Sequence, residues 1–156
     1  MKEPWKFEIE ERVRWGDVDA ARIIFYGAYI RFFEIAETEV FRAVGLPYGV
    51  AFDELDIWLP RVHLECDFRR AARLDDLLVV SVFVGKFGNK SFRVNFEVRR
   101  KGEEELVAEA HFVLASVRRD SFETVPVPEE LKRRLAPYTK PGSSPTVREG
   151  SFPGYD

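Results

Sequence analysis

The sequence predicts a single α+β domain in which an antiparallel sheet curls around one long helix. A stretch with apolar residues at helical spacing follows a first short strand, and about four strand-like segments come after it. Turn signals separate the later segments, so neighbouring strands are expected to pair antiparallel. A long apolar helix followed by such a meander is typical of the α+β class.

The first strand and the helix come from residues 6–15 and 28–44. Residues 6–15 alternate imperfectly between apolar and charged side chains, as in a strand at a sheet edge. Gly45 and Pro47 end the helix. Its wide apolar stripe predicts burial on much of the circumference. The positions that keep the helical spacing are Tyr29, Phe32, Phe33, Ala36, Val40 and Val44.

Four later segments complete the predicted sheet, and they are residues 57–68, 77–87, 91–100 and 105–119. The first and third alternate between apolar and polar side chains, so one face of each is expected to be buried. The second is almost continuously apolar, which indicates burial on both faces. Gly88-Asn89 supplies a two-residue hairpin turn between the second and third.

The C-terminal part predicts a short helix and a tail. Residues 128–135 form the helix, which begins at Pro128. We assign residues 1–137 to one domain, and residues 138–156, rich in Pro, Gly and Ser, to a tail that is mobile or packed on a neighbour. Fourteen Phe and a sheet with one partly covered face predict a homo-oligomer, either a dimer or a dimer of dimers (a homotetramer).

Composition restricts the compartment and the partners. A net charge of −3 gives no general reason to expect nucleic acid or an anionic membrane as a partner. No stretch has the apolar length of a membrane span or of a signal-peptide core, which predicts a cytoplasmic protein. Cys66 is the only cysteine, so an intrachain disulfide is excluded.

Several common catalytic and metal-binding signatures are missing from the sequence. It contains no Gly-x-Ser-x-Gly elbow, phosphate loop or dinucleotide motif. His63 and His111 have no second ligand at a recognised short spacing, so we expect neither a metal nor a cofactor. His63 is expected at the surface, and His111, in an apolar strand, in the core or an interface.

Two aspartates, Asp17 and Asp19, stand beside a strongly apolar run just before the long helix. Asp in such a loop commonly accepts hydrogen bonds from a turn or a helix start. The other interpretation is a catalytic carboxylate at the edge of an apolar pocket. The residue pattern by itself leaves both interpretations open.

This loop also carries a family resemblance. The residues that resemble the signature of hotdog-fold acyl-CoA thioesterases, in the 4-hydroxybenzoyl-CoA thioesterase-like branch, are Trp15, Asp17-Val18-Asp19, Ala20, Ile23-Ile24-Phe25, Tyr29 and Phe33-Glu34-Ile35-Ala36. Residues 69–80 and 88–98 resemble two further segments, and the likeness covers about residues 8–135. It implies a sheet wrapped round a central helix, an acyl-CoA substrate and a site at a subunit interface.

The resemblance implies that Asp19 is the catalytic carboxylate, either as a general base that activates water or as a nucleophile. Asp17 would then hold the loop. Backbone N–H groups near Tyr26 and Gly27, at the positive end of the helix dipole, would polarise the thioester carbonyl. Apolar walls would leave Asp19 poorly hydrated and accept the acyl chain.

Two positions depart from the family pattern. Many relatives have Gly-Gly where this chain has Ala21-Arg22, and Arg22 would either narrow the pocket entrance or pair with Asp17. A large subgroup has histidine in place of Tyr26, and tyrosine assists proton transfer less readily at neutral pH. Tyr26 is therefore expected to act mainly through its backbone.

Further substrate contacts are implied at Lys90 and Ser91, which match the family region near coenzyme A, although a solvated turn lysine is an equal alternative for Lys90. Trp58 belongs either to the acyl pocket or to the core. A second basic cluster, which would bind phosphate or keep a turn soluble, comprises Arg69, Arg70 and Arg73.

Hydrolysis of an acyl-CoA to the free acid and coenzyme A is the predicted function. One alternative is a hotdog protein that binds an acyl thioester without catalysis. Another is a hotdog dehydratase that acts on hydroxyacyl thioesters. Dehydration usually requires a histidine beside a carboxylate, and residues 15–29 contain no histidine.

Overall fold

The computed structural model describes residues 2–142 and contains five strands and three α-helices within them. In chain order the elements are β1 (Phe7–Arg12), α1 (Tyr29–Ala43), α2 (Tyr48–Leu55), β2 (Arg61–Phe68), β3 (Leu77–Phe87), β4 (Ser91–Arg100), β5 (Leu106–Ala115) and α3 (Glu129–Leu135). The strands form one antiparallel sheet in the order β1-β3-β4-β5-β2. Strands β1 and β2 are therefore its two edges.

Helix α1 packs against one face of the sheet, and the core lies between them. Phe33 of α1 contacts Phe96 of β4 and Phe112 of β5, with ring centroids 4.9 and 5.9 Å apart. Because successive residues of a strand point to opposite faces, the neighbours of Phe96 and Phe112 along their strands face away from α1. The predicted α+β sheet around a long helix is confirmed.

The bounds of β2 and β5 are set by backbone hydrogen bonding rather than by the extent of the apolar pattern. Strand β2 begins at Arg61, four residues later than expected, because Trp58 makes only an isolated bridge to Val117. Strand β5 stops at Ala115, since the N–H of Ser116 donates to the carbonyl of Lys90 instead. Strands β3 and β4 have the predicted bounds.

Helix α2 was not predicted, although Pro47 precedes it as an N-terminal cap. It ends at Asp56, whose φ of 51° lies in the left-handed region. Tertiary contacts hold this short helix in place. The ring of Tyr48 packs against that of Phe41 on α1, with centroids 4.7 Å apart.

The first residues of the predicted tail contact the sheet of their own chain. The N–H of Lys140 donates to the carbonyl of Val84 at 2.8 Å, and the ring of Tyr138 lies 5.3 Å from that of Phe7. The remainder of the predicted tail, residues 143–156, lies outside the described residues. Between residues 2 and 142, no helix is both long and apolar enough to cross a membrane.

Candidate active site

Asp17 fixes the loop between β1 and α1. Its carboxylate accepts hydrogen bonds from Arg31 on α1 at 2.8 and 2.5 Å, and from the backbone N–H of Arg14 at 2.8 Å. Burial opposes ionisation of Asp17, but these donors outweigh it and hold the pKa of the carboxyl below its usual value. With 4% of its surface exposed, Asp17 holds the loop as expected, and its partner is Arg31 rather than Arg22.

Asp19 lies in a tight turn at the surface. Its Oδ1 accepts a hydrogen bond from the N–H of Ala21 at 2.9 Å, and its own N–H donates to the carbonyl of Ile23 at 3.1 Å. The residue is exposed in the single chain. This corrects the expectation of a poorly hydrated carboxylate, because Ile24 is buried in the core rather than placed over Asp19. Residues 2–142 leave Asp19 unshielded.

The turn continues through Arg22, whose φ of 62° lies in the left-handed region. Its N–H donates to the carbonyl of Asp19 at 2.9 Å, and its carbonyl accepts from the N–H of Leu74 at 3.1 Å. The left-handed region favours glycine, which has no Cβ to clash there. The glycines of the family pattern at this point of the loop therefore have a conformational explanation.

The start of the long helix follows this turn. Tyr26–Ala28 form one 3-10 turn that leads directly into α1. The first N–H groups of a helix have no acceptor inside it, and no loop or capping hydrogen bond among the described residues occupies those of Tyr26 and Gly27. The N–H of Phe25 donates to the carbonyl of Asp17 at 3.2 Å, which ties the aspartate loop to this helix start.

An open groove of about 320 Å³ lies beside Tyr26. Phe68, at the end of β2, is 53% exposed there, and its ring centroid lies 5.2 Å from that of Tyr29. Arg69 forms part of the rim and pairs with Glu109 at 2.8 Å. Sites of this size accept small ligands, and the groove is lined by residues including Ile23, Tyr26, Tyr29, Phe68, Arg69 and Arg70.

Lys90 and Ser91 lie far from this groove in the same chain. They belong to the hairpin between β3 and β4, at one end of the sheet. The aspartate loop lies at the other end, where the N–H of Val13 donates to the carbonyl of Asp76 just before β3 begins. One chain therefore does not bring the predicted coenzyme A contacts to Asp19.

Trp58 is a packing residue within the single chain. Its ring centroid lies 5.6 Å from that of Phe52 on α2, and its indole N–H donates to the carbonyl of Arg119 at 3.2 Å. The guanidinium of Arg119 lies over the indole, 4.5 Å from its centroid. Trp58 is not among the residues that line the groove beside Tyr26.

Two residues of this region were missed by the sequence reasoning. Arg31 stands fourteen residues after Asp17, and no local spacing rule joins a loop aspartate to an arginine on the next helix. Phe68 belongs to residues 57–68, one face of which was expected to be buried, but β2 has a neighbour on one side only and Phe68 is exposed. The order of the strands in the sheet, which the sequence pattern does not give, places β2 at an edge.

Both histidines lie on the face of the sheet that points away from α1. His111 precedes Phe112, which faces the helix, and His63 stacks on His111 with ring centroids 5.4 Å apart. The sheet therefore separates both imidazoles from the helix-side core. Both imidazoles approach Glu65.

Comparison with known proteins identifies the family. The family model described as the thioesterase-like superfamily matches residues 13–135. The chain belongs to this superfamily. The acyl-CoA thioesterase YbgC from Haemophilus influenzae is 29% identical over 126 residues, which cover 81% of this chain and 91% of that protein. A 1,4-dihydroxy-2-naphthoyl-CoA hydrolase from Prochlorococcus marinus is 30% identical over 130 residues, or 80% and 85% of the two chains.

Solved thioesterase structures share the fold. A mutant of 4-hydroxybenzoyl CoA thioesterase complexed with 4-hydroxybenzoyl CoA has a TM-score of 0.76 and 25% identity, and the match covers 83% of this chain and 98% of that one. A 1,4-dihydroxy-2-naphthoyl-CoA thioesterase from Synechocystis has a TM-score of 0.77 at 20% identity, with 84% and 96% covered. The hotdog fold and the resemblance to this thioesterase branch are both confirmed.

Proposed function

We propose that the protein hydrolyses an acyl-CoA thioester to the free acid and coenzyme A, with Asp19 as the catalytic carboxylate. One observation carries the proposal. In a chain of the thioesterase-like superfamily, the loop sets Asp19 just ahead of a helix start at which the N–H groups of Tyr26 and Gly27 are unused by the described loops and caps. The named activities of the relatives support the same reaction.

Thioester hydrolysis requires hydrogen-bond donors for the carbonyl oxygen and a group that activates water or attacks the carbonyl carbon. The N–H groups of Tyr26 and Gly27 would hold the carbonyl oxygen as negative charge develops on it. Asp19 would either take a proton from the attacking water or attack the carbonyl carbon itself, forming an anhydride that water then cleaves. In both routes the C–S bond breaks, and the coenzyme A thiolate leaves and takes up a proton.

The groove beside Tyr26 is the proposed acyl site. Tyr29 and Phe68 offer aromatic surface to it, and Ile23 adds aliphatic surface. Two of the relatives carry aromatic acyl groups in their names, 1,4-dihydroxy-2-naphthoyl and 4-hydroxybenzoyl. Aromatic acyl-CoAs are therefore the first substrates to test, with short and long aliphatic acyl-CoAs beside them.

The complete site is proposed to need two copies of the chain. Strand β3 has eleven residues and therefore spans about 36 Å, which separates Lys90 and Ser91 from Asp19. If a second copy pairs antiparallel along the open edge of β2, its hairpin end lies towards the Asp19 end of the first. Lys90 and Ser91 of the second copy would then bind the coenzyme A portion, and the neighbour would shield Asp19.

The surface of β2 supports such pairing. Its outer edge has no strand beside it in the described sheet, and Leu64 and Phe68 are 47% and 53% exposed. An exposed apolar strand edge is a ready partner for a second strand. A homodimer through β2 would pair the free backbone groups of this edge. A dimer of dimers is compatible with the same contact.

The substitution Asp19→Asn tests the proposal. Hydrolysis of short, long and aromatic acyl-CoAs is followed by release of the coenzyme A thiol. We expect kcat to fall by about 10²–10⁴ for every substrate that the wild type hydrolyses, because the amide is neither a general base nor a nucleophile. Asn keeps the side-chain oxygen that accepts from Ala21, so the thermal midpoint is expected to stay near that of the wild type.

The matched control is Asp75→Asn. Asp75 is an exposed aspartate in the turn before β3, at the same end of the sheet, and its φ of 73° is tolerated by asparagine. This control is expected to retain wild-type kcat. Full hydrolysis by the Asp19→Asn variant would remove Asp19 from the mechanism, and a wild type that hydrolyses none of the panel would favour binding without catalysis.

The dehydratase alternative gains no support from the geometry. It needs a histidine within reach of a carboxylate in the pocket, whereas His63 and His111 lie on the other face of the sheet from α1.

A further inference from the structure

Three potential metal ligands meet on the outer face of the sheet, the face turned away from α1. Glu65 of β2 is directly opposite His111 of β5, and His63 lies two residues before Glu65 on the same side. The Oε2 atom of Glu65 is 3.5 Å from Nε2 of His111 and 3.7 Å from Nε2 of His63. One donor atom of each residue lies within 4.8 Å of the other two.

We propose that His63, Glu65 and His111 bind a divalent transition metal, and that zinc fits them best. Zinc is bound by imidazole nitrogen and carboxylate oxygen at about 2.0–2.2 Å, so two ligands of a tetrahedral ion are about 3.4 Å apart. The two distances to Glu65 are already close to that separation. Small side-chain rotations complete the site, and water takes the fourth position. Magnesium and calcium prefer oxygen ligands and fit this set less well.

A second observation points to a ligand at the same place. The Nε2 atom of His111 is buried and has no hydrogen-bond partner among the described residues. Buried polar atoms are almost always partnered, because losing water without a replacement costs free energy. The contact with Glu65 is too long for a hydrogen bond. A metal ion between the two residues would satisfy the nitrogen and the carboxylate together.

The surrounding charges leave Glu65 available for the metal. The shallow depression beside His111 is lined by the carboxylates of Glu65, Asp67, Glu97 and Glu109. Asp67 and Glu109 both pair with Arg69, and Glu97 pairs with Lys6 and Arg99. Among residues 2–142, the ion pairs of Glu65 are with the two imidazoles. Arg93 on β4 is the positive charge that opposes a cation here.

This site is distinct from the proposed active site and was excluded in the sequence reasoning. His63 and His111 are far apart along the chain, but the pairing of β2 with β5 brings His111 opposite Glu65. A metal held by both strands would fasten the edge strand β2 to the sheet.

Zinc titration of the full chain, freed of metal by a chelator and of any affinity tag, tests the proposal by calorimetry. We expect one zinc ion per chain. His63→Gln and His111→Gln are each expected to weaken zinc binding by more than about tenfold, since each removes a ligand. The matched control is Asp67→Asn, on the same strand and face, which is expected to change the affinity by less than about threefold because it removes only a screened surface charge.

Circular dichroism verifies that each variant is folded, and Glu65→Gln gives a third ligand variant at an exposed position. Cobalt binding, read from visible absorption, is expected to be lost in the same variants and kept in Asp67→Asn. The proposal is overturned if the wild type binds no zinc, if the His63→Gln and His111→Gln variants bind it as tightly as the wild type, or if magnesium binds equally well.

Discussion

At the scale of single residues, Asp17 and Asp19 show how two neighbouring aspartates take different roles. The carboxylate of Asp17 is buried and accepts three hydrogen bonds, two of them from Arg31. The carboxylate of Asp19 accepts one hydrogen bond, from the backbone N–H of Ala21, and the residue is exposed. The first carboxylate holds the loop, whereas the second is accessible and is the one that we propose acts on the substrate.

This difference predicts how stability depends on pH. The folded pKa of Asp17 lies below the ordinary value of 3.8, so its stabilising contribution is fully present above that value and is lost as pH falls through the folded pKa. We expect the contribution of Asp17 to the free energy of unfolding of the wild type to decline once the pH falls below about 4. Asp17→Asn should be less stable by about 1–3 kcal/mol at pH 7 and should decline less on acidification.

Urea unfolding at pH 7, 5, 4 and 3 gives the measurement. The control is Asp75→Asn, which removes a carboxylate that accepts no side-chain hydrogen bond among the described residues, and which should keep the pH dependence of the wild type. Equal stability of the Asp17→Asn variant and the wild type at pH 7, or equal loss in acid, would contradict this account of the loop.

At the scale of secondary-structure elements, the sequence predicted those whose pattern is long and regular. Helix α1 and strand β4 bury side chains at regular intervals over ten residues or more, and β3 is buried almost continuously. Both patterns can be read from one sequence. Helix α2 has eight residues and depends on tertiary contacts. One of these is the hydrogen bond from Tyr48 to the buried Glu37 of α1, which Arg61 of β2 also contacts.

The buried Glu37 predicts the effect of removing a hydroxyl from α2. Tyr48→Phe takes away one donor to a carboxylate whose Oε2 already has no hydrogen bond in the described chain. We expect the free energy of unfolding to fall by about 1–3 kcal/mol, since a buried charged group loses a partner. The control is Tyr138→Phe, for which we expect a change within about 0.5 kcal/mol. Guanidinium unfolding measures the free energy of unfolding of both variants. A Tyr48→Phe variant as stable as the control would refute a stabilising role for the hydrogen bond from Tyr48 to Glu37.

At the scale of the whole molecule, part of the candidate site could be predicted from the sequence. Asp19, Tyr26 and Gly27 lie within one short loop and helix start, so a motif brings them together. Arg31 and Phe68 were missed because the fold, not chain spacing, places them beside that loop. The prediction that Asp19 is poorly hydrated was also wrong for a single chain. A sequence shows which residues are apolar but not whether they cover a neighbouring side chain.

The central claim is that the active site is assembled from two chains. It rests on the length of β3, which separates Asp19 from the hairpin between β3 and β4 within one chain. In the proposed dimer, each end of the sheet supplies part of the substrate contacts, and a second copy in antiparallel pairing through β2 would bring them together. The groove, the exposed carboxylate and the apolar edge of β2 then belong to one arrangement.

Mixed dimers test this claim most directly. Asp19→Asn removes the carboxylate in one chain, and the double substitution Lys90→Ala with Ser91→Ala removes the coenzyme A contacts in the other. Chains with two different tags are co-expressed and purified over both tags. If the site is shared, one site of each mixed dimer carries both defects and the other carries none, so kcat/KM is about half the wild-type value. If the site lies within one chain, every site is defective, and kcat/KM near the mean of the two parent variants would contradict the account.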